Sequence, residues 1–304
     1  MNDGAIDFRQ MLKEEKKKAR QKKQAKQPEN DTPKTSADQQ LQSEKSNPAT
    51  SLDLTAVDIR EEDMEAIDFG ALKEKLQKEQ KMAESWSIPS VFDRQEHLVC
   101  SNPPNIYYLP NFLPREVDQQ ALLEWLQQLP ENPHSSTQDS SKANGNWTNM
   151  KYAKRRVALF DNQVAAVPAP LALLSKSLVE QGIFPSEQPP NHILVNEYHA
   201  GQGILPHTDG PAYWSRTATL SLGSDVLIQF TPRPNHETTV DKRQLRLEKA
   251  CLLVFEDSAY LDYCHGIDDR VLEEQVAEGC LNANVGDTAT REYRISLTFR
   301  HKKH

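Results

Sequence analysis

Long apolar runs are missing from this chain. No stretch approaches the roughly 20 apolar residues that a membrane-spanning helix needs, and the opening MNDGAIDFRQ has no apolar leader core. Cysteine is scarce, and Cys100, Cys251, Cys264 and Cys280 form no C-x-x-C pair, which argues against a cysteine zinc site and suits reduced thiols. These absences lead us to expect a soluble, monomeric, intracellular protein of the nucleus or cytoplasm, without a membrane partner. Aliphatic and aromatic patterning is also missing from Met1 to about Trp86, where Lys, Glu, Gln, Ser, Asp and Asn dominate. Such a segment cannot bury enough surface to offset the entropy of ordering. Residues 1–95 are therefore expected to be a disordered tail, with one domain over 98–304.

The net charge of −8 conceals a segregation: Arg9 to Lys26 carries nine Lys or Arg against Glu14 and Glu15, a local +7, leaving −15 for the rest. A block of this kind can bind nucleic acid, direct nuclear import, or be a solvated helix. The tail also repeats itself weakly. Ala5-Ile6-Asp7-Phe8 and Ala66-Ile67-Asp68-Phe69 each open a charged, helix-favouring stretch, the second over Gly70 to Met82, joined by a polar linker from Pro28 to Thr55. Two short helices on a leash could dock protein partners, or the pattern could be charged low complexity.

Beyond the tail, Ile106 to Leu109 reads as a strand. Pro114 sits at the first turn of a helix whose apolar residues, from Val117 to Leu129, recur with helical period before Pro130. A second helix is expected from Leu171 to Gln181. Short strand-like runs then follow at His192–Tyr198, Arg216–Leu222, Val226–Phe230, Gln244–Leu247, Cys251–Glu256, Leu261–His265 and Tyr293–Arg300. Helices ahead of many short strands predict an α+β fold built on a jelly roll with flanking helices.

The sharpest chemical signal is His207-Thr208-Asp209, since residues i and i+2 of an extended segment face the same way and can share an ion. Nine histidines and twenty aspartates in 304 residues make about 0.6 such pairs expected by chance, so the motif needs company. His265, near the end of a later strand, would complete a two-histidine, one-carboxylate set. That set leaves positions open on Fe(II), although a zinc hydrolase would accept the same ligands. An anion-binding cation separates the two readings. In Arg294-Ile295-Ser296-Leu297-Thr298-Phe299-Arg300 the period of two puts Arg294, Ser296, Thr298 and Arg300 on one face. Inward arginines are costly unless an anion receives them. Asn196 and Tyr198 share a face by the same rule. Lys151, Tyr152, Lys154, Arg155 and Arg156 form a basic run with an aromatic inside it, suited to phosphates and a stacked base, or to a solvated edge. Tyr213 and Trp214, just past the metal segment, could stack on an extruded base or pack in the core.

The order Asn196-x-Tyr198, His207-x-Asp209, a distant His265 and Arg294 with Arg300 resembles the AlkB family, most closely its sixth eukaryotic branch, over about residues 100 to 304. The resemblance implies a double-stranded β-helix and an Fe(II)- and 2-oxoglutarate-dependent dioxygenase that uses O2 to demethylate alkylated nucleobases in DNA or RNA. It implies iron ligation by His207, Asp209 and His265, and 2-oxoglutarate contacts from Asn196, Tyr198, Arg294 and Arg300. Departing from the family's bacterial form, the gap from His265 to Arg294 is long, and Asp268 to Thr290 reads as an inserted surface loop. Two rival readings are a 2-oxoglutarate-dependent protein side-chain hydroxylase and a catalytically silent nucleic-acid-binding adaptor.

Overall fold

The computed structural model describes residues 69–88, 92–132, 144–150, 153, 155–233, 242–269 and 271–303. The basic block, the linker, the first of the two repeats, Lys151, Tyr152 and Lys154 lie outside the described residues.

The last strand sets the frame. In β14 (Arg294–Lys302) Ile295, Leu297 and Phe299 are fully buried in the main apolar cluster, while Arg294, Ser296, Thr298 and Arg300 line a cavity on the opposite face. Burying each of those three side chains is worth about 1.5–3 kcal/mol. A one-residue slip would exchange the two sets, so the register is strongly specified. β14 pairs antiparallel with β5 (His192–Tyr198) on one side and β7 (Tyr213–Gly223) on the other.

These strands are the centre of an eight-stranded sheet. The others are β1 (Leu98–Cys100), β2 (Ile106–Leu109), β3 (Trp147–Asn149), β4 (Arg156–Asp161) and β10 (Leu252–Glu256), in the order β1-β2-β10-β7-β14-β5-β4-β3. A four-stranded sheet consists of β6 (Ile204–His207), β11 (Tyr263–Ile267), β8 (Val226–Pro232) and β9 (Arg243–Leu247), in the order β6-β11-β8-β9. Ile106, Leu253 and Phe255 of the large sheet share an apolar cluster with Val226, Phe230 and Leu245 of the small one, so the two sheets face each other. This is the jelly roll expected from the strand pattern. α2 (Glu116–Gln127) and α3 (Ala169–Glu180) pack on the outer face of the large sheet through Leu122, Leu126, Leu171 and Leu174. No helix among the described residues is long and apolar enough to cross a membrane.

Three details depart from expectation. First, the folded body begins well before residue 98: α1 (Phe69–Glu84) packs against α3, Ala83 and Trp86 are buried, and Glu79 accepts a 3.0 Å hydrogen bond from the Trp125 indole. Composition missed this because Glu79, Ala83 and Trp86 form a narrow stripe among lysines, glutamates and glutamines. The helix-favouring stretch Gly70 to Met82 is thus seated on the body itself, whereas Ala66, Ile67 and Asp68 lie outside the described residues. Second, the segment Asp268–Thr290 is more than a surface loop. It forms the hairpin β12 (Glu273–Gln275) and β13 (Thr288–Thr290), and Val276 and Ala289 are buried against Leu227 of β8. Third, Val117 is 65% exposed and Asp118 is buried in its stead, paired with Arg115. An ion pair and the helix N-terminus outrank the apolar period there.

Candidate metal centre

β6 and β11 pair antiparallel with His265 directly opposite His207, and the two rings lie 4.4 Å apart between centroids. Asp209 follows β6 by two residues. Its Oδ1 stands 3.8 Å from His265 Nε2 and 4.0 Å from His207 Nε2. One ligand atom from each of the three side chains lies within 4.8 Å of the others, the spacing of donors around a single ion. Nδ1 of His207 is 2.8 Å from the Leu205 carbonyl; a carbonyl only accepts, so Nδ1 carries the proton and Nε2 offers its lone pair.

Burial pushes His207 down to about 3, helped by His265 and opposed by Asp209. Burial lowers His265 as well. For Asp209 burial works upward but is outweighed by Arg300, the two imidazoles and the Thr217 hydroxyl, which hold the carboxyl near 2. At neutral pH the set is two neutral imidazoles and one carboxylate, the forms that bind a divalent metal. Phe255 and Phe230 pack beside His265 and keep that wall apolar.

The cavity over the triad is floored by the polar faces of β5, β7 and β14. Arg294 is 4% exposed, its Nε donates to Ser221 Oγ at 2.8 Å, and its guanidinium lies 5.4 Å from the Tyr198 ring. Tyr198 stands directly opposite it in the β5–β14 pairing. Among the described residues Arg294 has no carboxylate partner, and burial pushes its pKa down against the weaker pull of Tyr198 and Cys251. A buried, always-charged guanidinium without a counter-ion is what a bound dicarboxylate would neutralise. The residues present therefore fit both a divalent metal and an anionic chelator.

Arg300 lines the same cavity but has a different principal partner: its NH2 donates to Asp209 Oδ1 at 2.6 Å. Asn196 also lines the cavity and accepts from Arg155 Nε at 3.3 Å. Arg155, expected on a basic surface, is 4% exposed and belongs to the cavity wall, whereas Arg156 turns outward onto Glu197 and Glu131. Tyr213 and Trp214 separate. Period two sends the half-buried Tyr213 to the cavity beside Arg300, and it leaves Trp214 44% exposed on the opposite face with Lys303 over its ring. Of the two, Tyr213 is therefore the one that lines the cavity.

Sequence reading missed three contributors. Thr217 donates to Asp209 Oδ2 at 2.8 Å, Ser221 receives Arg294, and Tyr260 donates to the Gly210 carbonyl at 2.7 Å. The alternation rule applied to Arg294–Arg300 would have found Thr217, Thr219 and Ser221 on the facing strand. No local signal marks Tyr260.

Comparison with known proteins agrees with the geometry. A zebrafish (Danio rerio) protein named "Probable RNA/DNA demethylase ALKBH6" is 32% identical over 223 residues, 69% of this chain and 91% of that protein. An uncharacterised protein of Acanthamoeba polyphaga mimivirus, L905, is 30% identical over 50% of this chain and 68% of its own length. The solved structure of OsALKBH1 superposes on 65% of this chain and 97% of its own, with 17% identity and a TM-score of 0.43. The family model of the 2OG-Fe(II) oxygenase superfamily matches residues 105–300. With that match spanning most of the chain, and with a histidine–aspartate–histidine set in the cavity, the chain belongs to this superfamily of dioxygenases that use Fe(II), 2-oxoglutarate and O2.

Proposed function

We propose that the enzyme oxidatively removes alkyl groups from nucleobases in DNA or RNA, with iron held by His207, Asp209 and His265. The observation that carries the substrate class is the likeness to the zebrafish protein, named as a probable RNA/DNA demethylase, over nearly all of that protein's length. Arg294 receives the distal carboxylate of 2-oxoglutarate, a role supported by its burial without a carboxylate partner among the described residues. Tyr198 packs on that guanidinium, and Asn196, steadied by Arg155, lines the cavity beside it. Phe230, Phe255 and Ile267 keep water from the metal-facing wall.

When bound, iron with 2-oxoglutarate supplies the oxidising power of the reaction: O2 is consumed, the keto acid becomes succinate and CO2, and one oxygen enters the substrate C–H bond. A hydroxylated N-methyl group then leaves as formaldehyde. The chain's own part is to keep both imidazoles neutral and Asp209 ionised, fix the co-substrate's far end, and exclude water until the base is seated.

The test is substrate-stimulated succinate formation with matched panels of N-methylated RNA, N-methylated DNA and methylated or unmethylated peptides. Stimulation by an alkylated oligonucleotide, with formaldehyde in equal amount, is expected. Stimulation by peptides alone would replace this reading with a protein hydroxylase, and nucleic-acid binding without turnover or metal dependence would replace it with an adaptor.

A further inference from the structure

We infer that Tyr213 and His192 are positioning residues for the metal carboxylate, together holding the Arg300 guanidinium in line with Asp209. The inference rests on the reading of Asp209 as an iron ligand. The two oxygens of Asp209 are used differently. Thr217 takes Oδ2, while Arg300 takes Oδ1, the oxygen that faces both imidazoles. Where Arg300 points therefore decides where the ligating oxygen stands.

Arg300 is held from behind. Its guanidinium lies 5.1 Å from the Tyr213 ring centroid, a cation–π contact. That hydroxyl is 3.4 Å from His192 Nε2, with the two rings 5.1 Å apart. The Tyr213 hydroxyl and His192 Nε2 are hydrogen-bond partners, which ties the tyrosine ring in place beside Arg300. Arg300 thus donates to Asp209 and lies against Tyr213, and Tyr213 is hydrogen-bonded to His192.

The far end of the chain bears a mark of this arrangement. Among the described residues, Nδ1 of His192 and Nε of Arg300 are both buried without a hydrogen-bond partner, each in a residue that is only 7% exposed. Leaving buried groups unsatisfied is costly, and such sites persist where neighbouring contacts over-determine them. Burial first, and then Arg300, keep His192 neutral by driving its pKa down to about 3, so an uncharged ring meets Tyr213 beside the Arg300 guanidinium. Asp161, bonded to Lys302, closes the corner behind it. Neither Tyr213 nor His192 belongs to the histidine–aspartate–histidine set, so their action on it passes through Arg300.

Calorimetric titration of the full-length protein with Mn(II), an oxygen-stable probe, tests this. Tyr213→Phe and His192→Leu are each expected to weaken Mn(II) binding by about tenfold, the usual scale for outer partners of a metal ligand. His192→Gln, whose amide oxygen can accept from Tyr213, should stay within about twofold of the parent. Parent-like affinity in both Tyr213→Phe and His192→Leu would overturn the proposal, as would a His192→Gln variant as weak as His192→Leu, which would mark a packing effect. Undiminished Mn(II) binding in His207→Ala would instead overturn the metal-site reading beneath it.

Discussion

His265 stands directly across from His207 in the β6–β11 pairing, and the residue beside it, Gly266, is pressed against the partner strand. A Cβ on Gly266 would lie 2.8 Å from the Pro206 nitrogen and 2.9 Å from its Cα, both backbone atoms that cannot swing aside. Gly266→Ala must therefore part the two strands that carry the imidazoles. We expect a loss of about 1–3 kcal/mol of stability and at least tenfold weaker Mn(II) binding, read by thermal unfolding and calorimetry. A variant that binds metal like the parent would show that the strand pairing does not set the histidine spacing.

His207→Ala and Asp209→Ala should both abolish succinate formation, but they should differ in stability. Removing Asp209 strips Arg300 of its carboxylate inside the protein, an uncompensated buried charge that costs about 3 kcal/mol or more. His207→Ala removes a neutral ring. Metal-free Asp209→Ala should therefore unfold at clearly lower denaturant than metal-free His207→Ala, and equal midpoints would deny the importance of that ion pair.

Arg294→Gln isolates the co-substrate role. Losing charge-assisted hydrogen bonds worth about 1.5–3 kcal/mol corresponds to a rise of roughly 10- to 150-fold in KM for 2-oxoglutarate. The apo protein should be no less stable than the parent, because Arg294 has no carboxylate partner among the described residues to lose. An unchanged KM, measured by succinate release across 2-oxoglutarate concentrations, would move the anion site elsewhere.

His192 makes folding pH-sensitive. Its folded-state pKa is about 3 against 6.5 in the unfolded chain, so only the unfolded state takes up a proton between those values. The associated stability is whole above pH 6.5 and is lost as pH falls toward 3. By pH 5 the loss amounts to about 2 kcal/mol. His192→Gln should flatten that part of the stability–pH curve, as followed by urea unfolding at pH 7 and pH 5. An equally steep curve in the variant would assign the sensitivity to other groups.

Much of the centre was legible because strands write their two faces in alternate letters. Alternation alone assigns Arg294, Ser296, Thr298 and Arg300 to one side, and it makes His207 and Asp209 neighbours on one face. What was not legible depended on which polar group meets which. Arg300 meeting Asp209, and Arg155 turning inward while Arg156 turns out, are set by the distances between strands remote in sequence. The helix over Gly70 to Met82 was legible, but its packing on the body was not, for another reason: its buried stripe is only one residue wide, too little to lift the segment's composition out of the polar range.

The strand Arg294–Lys302 interleaves two messages in nine residues, one addressed to the apolar interior and one to the reacting cavity. Because each occupies every second position, a lineage can rewrite either without disturbing the other. Variation at residues 294, 296 and 298 would retune chemistry with the apolar face intact, and variation at 295, 297 and 299 would retune durability with the polar face intact.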